Sequence, residues 1–180
     1  MWHNMTYLGR RICISFIISL SCFSLAAGDT SSRNVSPEVG KYAPDFELDD
    51  VNGRRATLAE FRGKVILLNF WSTSCGPCKE EMPSLNRLYA ALQAEGFVVL
   101  AISIDTSESP VRSFLSAKSI SFPVLMDKDK EVYFDEYAGF GLPTSFLIDK
   151  KGLIVEKFIG PREWDSSDIK ERVLKLLHKI

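Results

Sequence analysis

Two apolar runs constrain the fold of this chain more than anything else in it. KVILLNFW (64–71) and FVVLAISI (97–104) are rich in Val and Ile and nearly free of charge. That is the pattern of strands buried on both faces, not the alternation of a half-exposed sheet. Between them Met82, Leu85, Leu88, Tyr89 and Leu92 recur at helical spacing, before Gly96 ends the segment. Strand, helix and strand at this distance form a βαβ unit with parallel strands and a right-handed crossover. SPVRSFLSAKSI (109–120) predicts a helix with Ser109 as N-cap and Pro110 in its first position. FPVLMD (122–127) reads as a short strand and KEVYFDEYA (130–138) as a short helix. GLPTSFLID (141–149) and LIVEKFIG (153–160) form a hairpin around Lys150-Lys151-Gly152. Ile169, Val173, Leu174 and Leu177 share one face of a closing amphipathic helix over 165–178, capped by Asp165 or Ser166. The fold class is α/β, a mostly parallel sheet with an antiparallel edge and flanking helices.

The N-terminus stands outside that pattern. Residues 1–27 contain no Asp or Glu, Arg10 and Arg11 precede the apolar run ICISFIISLSCFSLAA (12–27), and Ala26-Ala27-Gly28 offers a cleavage site. A basic start, a short apolar run and small residues describe a secretory signal over 1–28. An uncleaved membrane anchor through 12–27 and lipidation at Cys22 are the alternatives. Ser19 stands where a lipoprotein signal carries Leu, and the run is short and Ser-rich for a spanning helix. DTSSRNVSPEVGK (29–41) reads as a flexible leader, which leaves 42–180 as the folded domain. Lys+Arg 22 against Asp+Glu 23 gives a net charge of -1, so no basic excess points to nucleic acid.

Of the four cysteines, Cys13 and Cys22 lie in the export segment, leaving the local pair Cys75 and Cys78 in NFWSTSCGPCKEEMP (69–83). A bridge closing so short a loop removes little entropy from the unfolded chain, so a structural staple is a poor use for it. A zinc or copper site needs further ligands. The only histidines are His3 and His178, and a copper site survives only if His178 folds back. Redox chemistry remains. A cysteine at a helix start meets unpaired N–H groups and the positive end of the dipole, which stabilise a thiolate at Cys75. Cys78 lies one turn along on the same face, within disulfide reach. Pro77 fits the first turn and Gly76 leaves the sulfur uncrowded. No cofactor or metal is called for.

NFWSTSCGPC resembles the thioredoxin active site. Residues 43–83 and GLPTSFLIDKKGLI (141–154) resemble the two signatures of the exported thioredoxin-like TlpA/ResA/CcmG group. The resemblance covers roughly 42–180. It implies a thioredoxin fold, a central mixed sheet flanked by helices, with an N-terminal extension and an extra helix–strand insertion over 107–135. It also implies that Cys75 attacks, that Cys78 is the buried resolver, and that Pro143 is a cis-proline facing the site with Leu142 offering backbone groups to an extended client. Gly76, Pro77 and Trp71 would border that surface, Trp71 chiefly as a packing residue. Two departures from thioredoxin stand out. Asn69 replaces a buried Asp and Ser74 replaces a Trp. Glu81, one turn beyond Cys78, is the candidate to tune the pair or accept the Cys78 proton. Pro83 is expected to kink the helix, and Trp164 to lie at the surface or face a partner.

The function expected on that resemblance is an exported thiol–disulfide oxidoreductase of the bacterial periplasm or outer membrane face. It would act as a monomer and reductase, with electrons from a membrane thiol carrier and protein disulfides as clients, apocytochrome c among them. A peroxiredoxin-like peroxidase is the enzymatic alternative. The opening APDFEL fits it and Ser72 lies three before Cys75, but Leu68 stands where that chemistry wants Pro. A copper- or partner-binding module is the non-enzymatic one.

Overall fold

A computed structural model of the chain describes residues 37–179. The expected export segment, with Cys13, Cys22 and its cleavage, anchor and lipid alternatives, lies outside the described residues. The last residues of the expected leader do not. Gly40 N–H donates to Ile154 C=O at 2.8 Å, and Ile154 N–H donates to Lys41 C=O at 2.9 Å. Gly40 and Lys41 thus hydrogen-bond to the later strand at Ile154.

Seven strands form one sheet: β1 (Glu47–Asp50), β2 (Arg55–Thr57), β3 (Val65–Trp71), β4 (Phe97–Ser103), β5 (Val124–Met126), β6 (Thr144–Ile148) and β7 (Ile154–Ile159). Their order is β2-β1-β5-β4-β3-β6-β7. The helices are α1 (Gly76–Leu92), α2 (Glu108–Lys118) and α3 (Ser167–His178). Only β3–β4 and β4–β5 are parallel, and antiparallel pairs extend both edges. The sheet is thus mixed, as the resemblance implied, and not mostly parallel as the apolar runs alone suggested. The correction comes from the β1–β2 hairpin, which hydrophobic runs cannot reveal because both strands are short and at most half-buried. Its signal lies in the turn. Asp50 Oδ1 accepts the N–H groups of Asn52 and Arg54, and Gly53 takes a φ of 80°, the Asn-Gly chemistry of a tight hairpin.

β3 and β4 are buried along their whole length. Their period of two divides the core into layers. Val65, Leu67, Trp71, Phe97, Val99 and Ala101 pack with α1 and α3, while Ile66, Leu68, Phe70, Val98, Leu100 and Ile102 pack beneath, with Tyr133 and Tyr137. Asn69 shares the parity of Leu67 and Trp71, so alternation places it on the α1 side. α1 runs on through Pro83 and reaches the left-handed Gly96 by a short tight turn. α2 starts two residues early, with Ser107 as N-cap instead of Ser109. The expected helix at 130–138 is a single wide turn, Val132–Glu136, bounded by the positive φ angles of Lys130 and Ala138.

Candidate active site

The C-terminal end of β3 and the start of β6 lie side by side. Phe70 faces Thr144 in the antiparallel register, so Pro143 stands beside the point where the chain leaves β3 for Cys75. That exit loop is fastened by Asp105, which the parallel β3–β4 register brings opposite. The Asp105 carboxylate accepts from Thr73 N–H (2.9 Å), Thr73 Oγ1 (2.7 Å) and Ser103 Oγ (2.7 Å). Sequence reasoning missed this anchor. Its signal was the hydroxyl run Ser72-Thr73-Ser74 ahead of the cysteines.

Cys75 is the N-cap of α1, with Gly76 and Pro77 opening the first turn. Its Sγ accepts the Cys78 N–H at 3.2 Å, satisfying one of the orphan donors of the helix start. The two cysteines are joined in a disulfide with a Cα–Cα separation of 5.3 Å. Their exposure differs. Cys78 is fully buried, while Cys75 is half-buried between exposed Ser74, Gly76 and Pro77. The Leu142–Pro143 peptide is cis. Trp71 is different from expectation as a bordering residue: it is fully buried, packs on Phe114 at 5.4 Å between ring centroids, and its indole N–H finds no partner among the described residues. It underlies the site and offers no surface.

Behind the disulfide lies a buried polar cluster. The helical period that buries Met82, Leu85 and Leu88 also buries Cys78 and Glu81. Glu81 Oε1 accepts from Asn69 Nδ2 at 2.8 Å, and Oε2 accepts from Arg162 N–H at 3.0 Å and Trp164 Nε1 at 2.9 Å. Asn69 Nδ2 also donates to Ser145 Oγ at 2.9 Å. Burial pushes the Glu81 carboxyl above its usual range, and the three donors pull it partly back. Trp164, expected at the surface or facing a partner, is fully buried here, packed edge-to-face on Phe158 at 5.2 Å between ring centroids. One tryptophan before a helix gives no periodicity to read, so only the fold reveals it.

Trp164→Phe should retain the edge-to-face contact with Phe158 and lose the indole N–H. The expected cost is about 1–3 kcal/mol for the carboxylate left short of a donor. Urea titration should find the deficit growing as pH rises and Glu81 ionises.

The profile of the AhpC/TSA family matches residues 39–157. The chain belongs to that family. It is 36% identical over 171 residues to the thiol-disulfide oxidoreductase ResA of Bacillus cereus (strain ATCC 10987 / NRS 248), covering 94% of each chain. The ResA of Bacillus thuringiensis subsp. konkukian (strain 97-27) is 38% identical over 143 residues, covering 79% of each chain. Among solved structures, the thioredoxin domain of a Bacteroides vulgatus thiol-disulfide oxidoreductase superposes with a TM-score of 0.70 at 27% identity, covering 79% of this chain and 100% of that domain. The fold is the thioredoxin fold, and the chain is a redox enzyme of the thiol–disulfide oxidoreductase kind.

The copper alternative finds no support in the geometry. Among the described residues no group of three or more His, Cys, Asp or Glu could hold a metal ion. His178 does not fold back to the cysteines. Its Nε2 lies 3.4 Å from Glu95, beyond the far end of α1, roughly 25 Å from Cys75 at 1.5 Å rise per residue.

Proposed function

We propose that the chain is an exported reductase of protein disulfides, working at the periplasmic or outer face of the membrane. The observation that carries this reading is the asymmetry of the pair. A half-buried Cys75 caps a helix N-terminus beside Pro143, and a fully buried Cys78 lies behind it. In the dithiol form the Cys75 thiolate attacks a client disulfide. A Cys75–client bond forms, the client bond breaks, and one client thiolate leaves. Cys78, deprotonated, then attacks the Cys75 sulfur, releasing the second client thiolate and leaving the Cys75–Cys78 disulfide. The client gains two electrons, which a membrane thiol carrier replaces by the reverse exchange. A haem-binding Cys-x-x-Cys-His segment of an apocytochrome c is the client that the family resemblance suggests.

Glu81 takes the Cys78 proton in this scheme. Its neighbours suit both of its states. The carboxylate meets three donors as drawn. When it is protonated, a half-turn of the Asn69 amide brings Oδ1, otherwise without a partner, toward Glu81 and Ser145, both of which can donate to it. The peroxidase reading is weaker, because Leu68 is wholly buried in β3 and Ser72 Oγ is engaged with Ser74 Oγ at 2.9 Å.

Equilibrating the Cys75–Cys78 couple in dithiothreitol and glutathione buffers tests the direction. A reductase should sit well below the glutathione range. A potential near about -120 mV, that of a strong oxidant, would sink the proposal.

A further inference from the structure

The loop leading into Pro143 carries a side chain that the fold does not use. Phe140 is fully exposed, at 102%, yet the backbone on either side of it is tied down. Gly139 N–H donates to Tyr133 C=O at 2.7 Å, and Gly141 N–H donates to the Tyr133 hydroxyl at 2.8 Å. Gly141 C=O in turn accepts from Thr144 Oγ1 at 2.6 Å. Gly139 lies so close to the Tyr133 ring that a Cβ there would stand 2.2 Å from Cε2. Tyr133 is itself buried. It packs on Phe70 at 5.4 Å, and its N–H donates to the Asp127 carboxylate at 2.8 Å. The segment between β5 and β6 therefore holds the loop in one shape, and that shape turns Phe140 outward. A loose loop would let the phenylalanine fold back onto apolar surface; this one is pinned at both neighbours.

Ile159, on the strand paired with β6, is a second exposed apolar side chain near Pro143. It is 71% exposed and lies opposite Thr144 in the β6–β7 register, where Gly160 N–H donates to Pro143 C=O at 2.9 Å. Two large exposed apolar side chains thus lie near Pro143, one on the loop before it and one on the strand paired just after it, at the end of the sheet where β3 leaves for Cys75.

We infer that Phe140 determines client selectivity, receiving a large apolar side chain adjacent to the client cysteine that reacts with Cys75. This rests on the reductase reading above. The occupant follows from the exchange chemistry, because a mixed disulfide at Cys75 lays a stretch of client polypeptide across this end of the sheet. Among the described residues neither the N–H nor the C=O of Leu142 has a backbone partner, so an extended client segment can pair with it as an added strand. Side chains of an extended segment alternate, and those flanking the cysteine fall on the surface bounded by Phe140 and Ile159. An apolar surface favours Leu, Ile, Val or an aromatic residue there over Ser, Asp or Lys.

The test uses reduced protein and two disulfide-bonded peptides of equal length and charge, with leucine or serine on both sides of each cysteine. The wild type should prefer the leucine peptide about tenfold in kcat/KM. Phe140→Ser should bring the ratio of the two peptides close to one, and Phe140→Leu should keep most of it. Because the side chain is exposed, thermal midpoints should not move. Equal rates on both peptides by the wild type, or a preference that survives in Phe140→Ser, overturns the assignment and leaves the reductase reading standing. Failure of the wild type to reduce either peptide overturns that reading and this inference with it.

Discussion

In the Cys78→Ser variant, mixed disulfides between Cys75 and client proteins should accumulate and survive non-reducing electrophoresis, while Cys75→Ser should yield none. Both variants should lose turnover by on the order of a thousandfold or more, since each removes one of two obligatory sulfurs. The asymmetry follows from position. A disulfide exchange needs three sulfurs nearly in line, so the attacking thiolate must be reached from outside. Cys78 has no exposed surface, so a client disulfide cannot approach it without unfolding the first turn of α1. Cys75 lies at the rim and caps that turn, where its sulfur already accepts a backbone N–H. The helix dipole and this hydrogen bond favour the thiolate over the thiol. Serine at 78 leaves the first exchange intact and removes the second, so the covalent complex has no internal exit. Equal trapping by the two variants would show that burial does not assign the roles.

What could be read from the sequence was whatever has a period or a local motif. β3, α1 and β4 stood out because continuous apolar runs and a helical stripe persist over several turns. The same stripe continues backward from Met82 to Cys78 and Glu81, but the burial of Glu81 and its bond to Asn69 emerged only from the fold. The Cys-Gly-Pro-Cys spacing and the Leu-Pro dipeptide marked two local segments, and the register between β3 and β6 brings them to one end of the sheet. What stayed hidden depends on contacts distant in sequence. Trp164 is 83 residues from Glu81 and reaches it only because the loop after β7 crosses the top of α1. Asp105 anchors Thr73 across 32 residues through strand register. Tyr133 looked like an ordinary residue of a short helix, whereas its hydroxyl organises the loop before Pro143. The short, half-buried β1–β2 hairpin lacked the apolar alternation that reveals a strand, although its Asn-Gly turn was present.

Glu81→Gln and Glu81→Ala should separate the two costs that meet at this residue. The wild-type carboxyl has a folded-state pKa above its unfolded value because it is buried. In the window from the ordinary value of about 4.3 up to that folded pKa, the native state binds more protons than the unfolded one. Wild-type stability should therefore fall as pH rises through this window, and level off once Glu81 is ionised in both states. Gln cannot titrate, so its variant should lose that slope. The amide should also fit. Its Nε2 can take the place of Oε1 and donate to Asn69 Oδ1 after the same half-turn of the Asn69 amide, while its oxygen keeps Arg162 N–H and Trp164 Nε1. Glu81→Gln should then match or exceed the wild type in urea near neutral pH. Glu81→Ala leaves Trp164 Nε1, Arg162 N–H and Asn69 Nδ2 facing a void, and should cost about 3–5 kcal/mol. Kinetics should rank the variants differently. Gln keeps the shape and removes the base, so resolution of the mixed disulfide by Cys78 should slow about a hundredfold. The first attack by Cys75 should change far less, and the pH profile of the resolving step should lose its Glu81 limb. A Gln variant that resolves mixed disulfides at the wild-type rate would reduce Glu81 to a packing partner of Trp164.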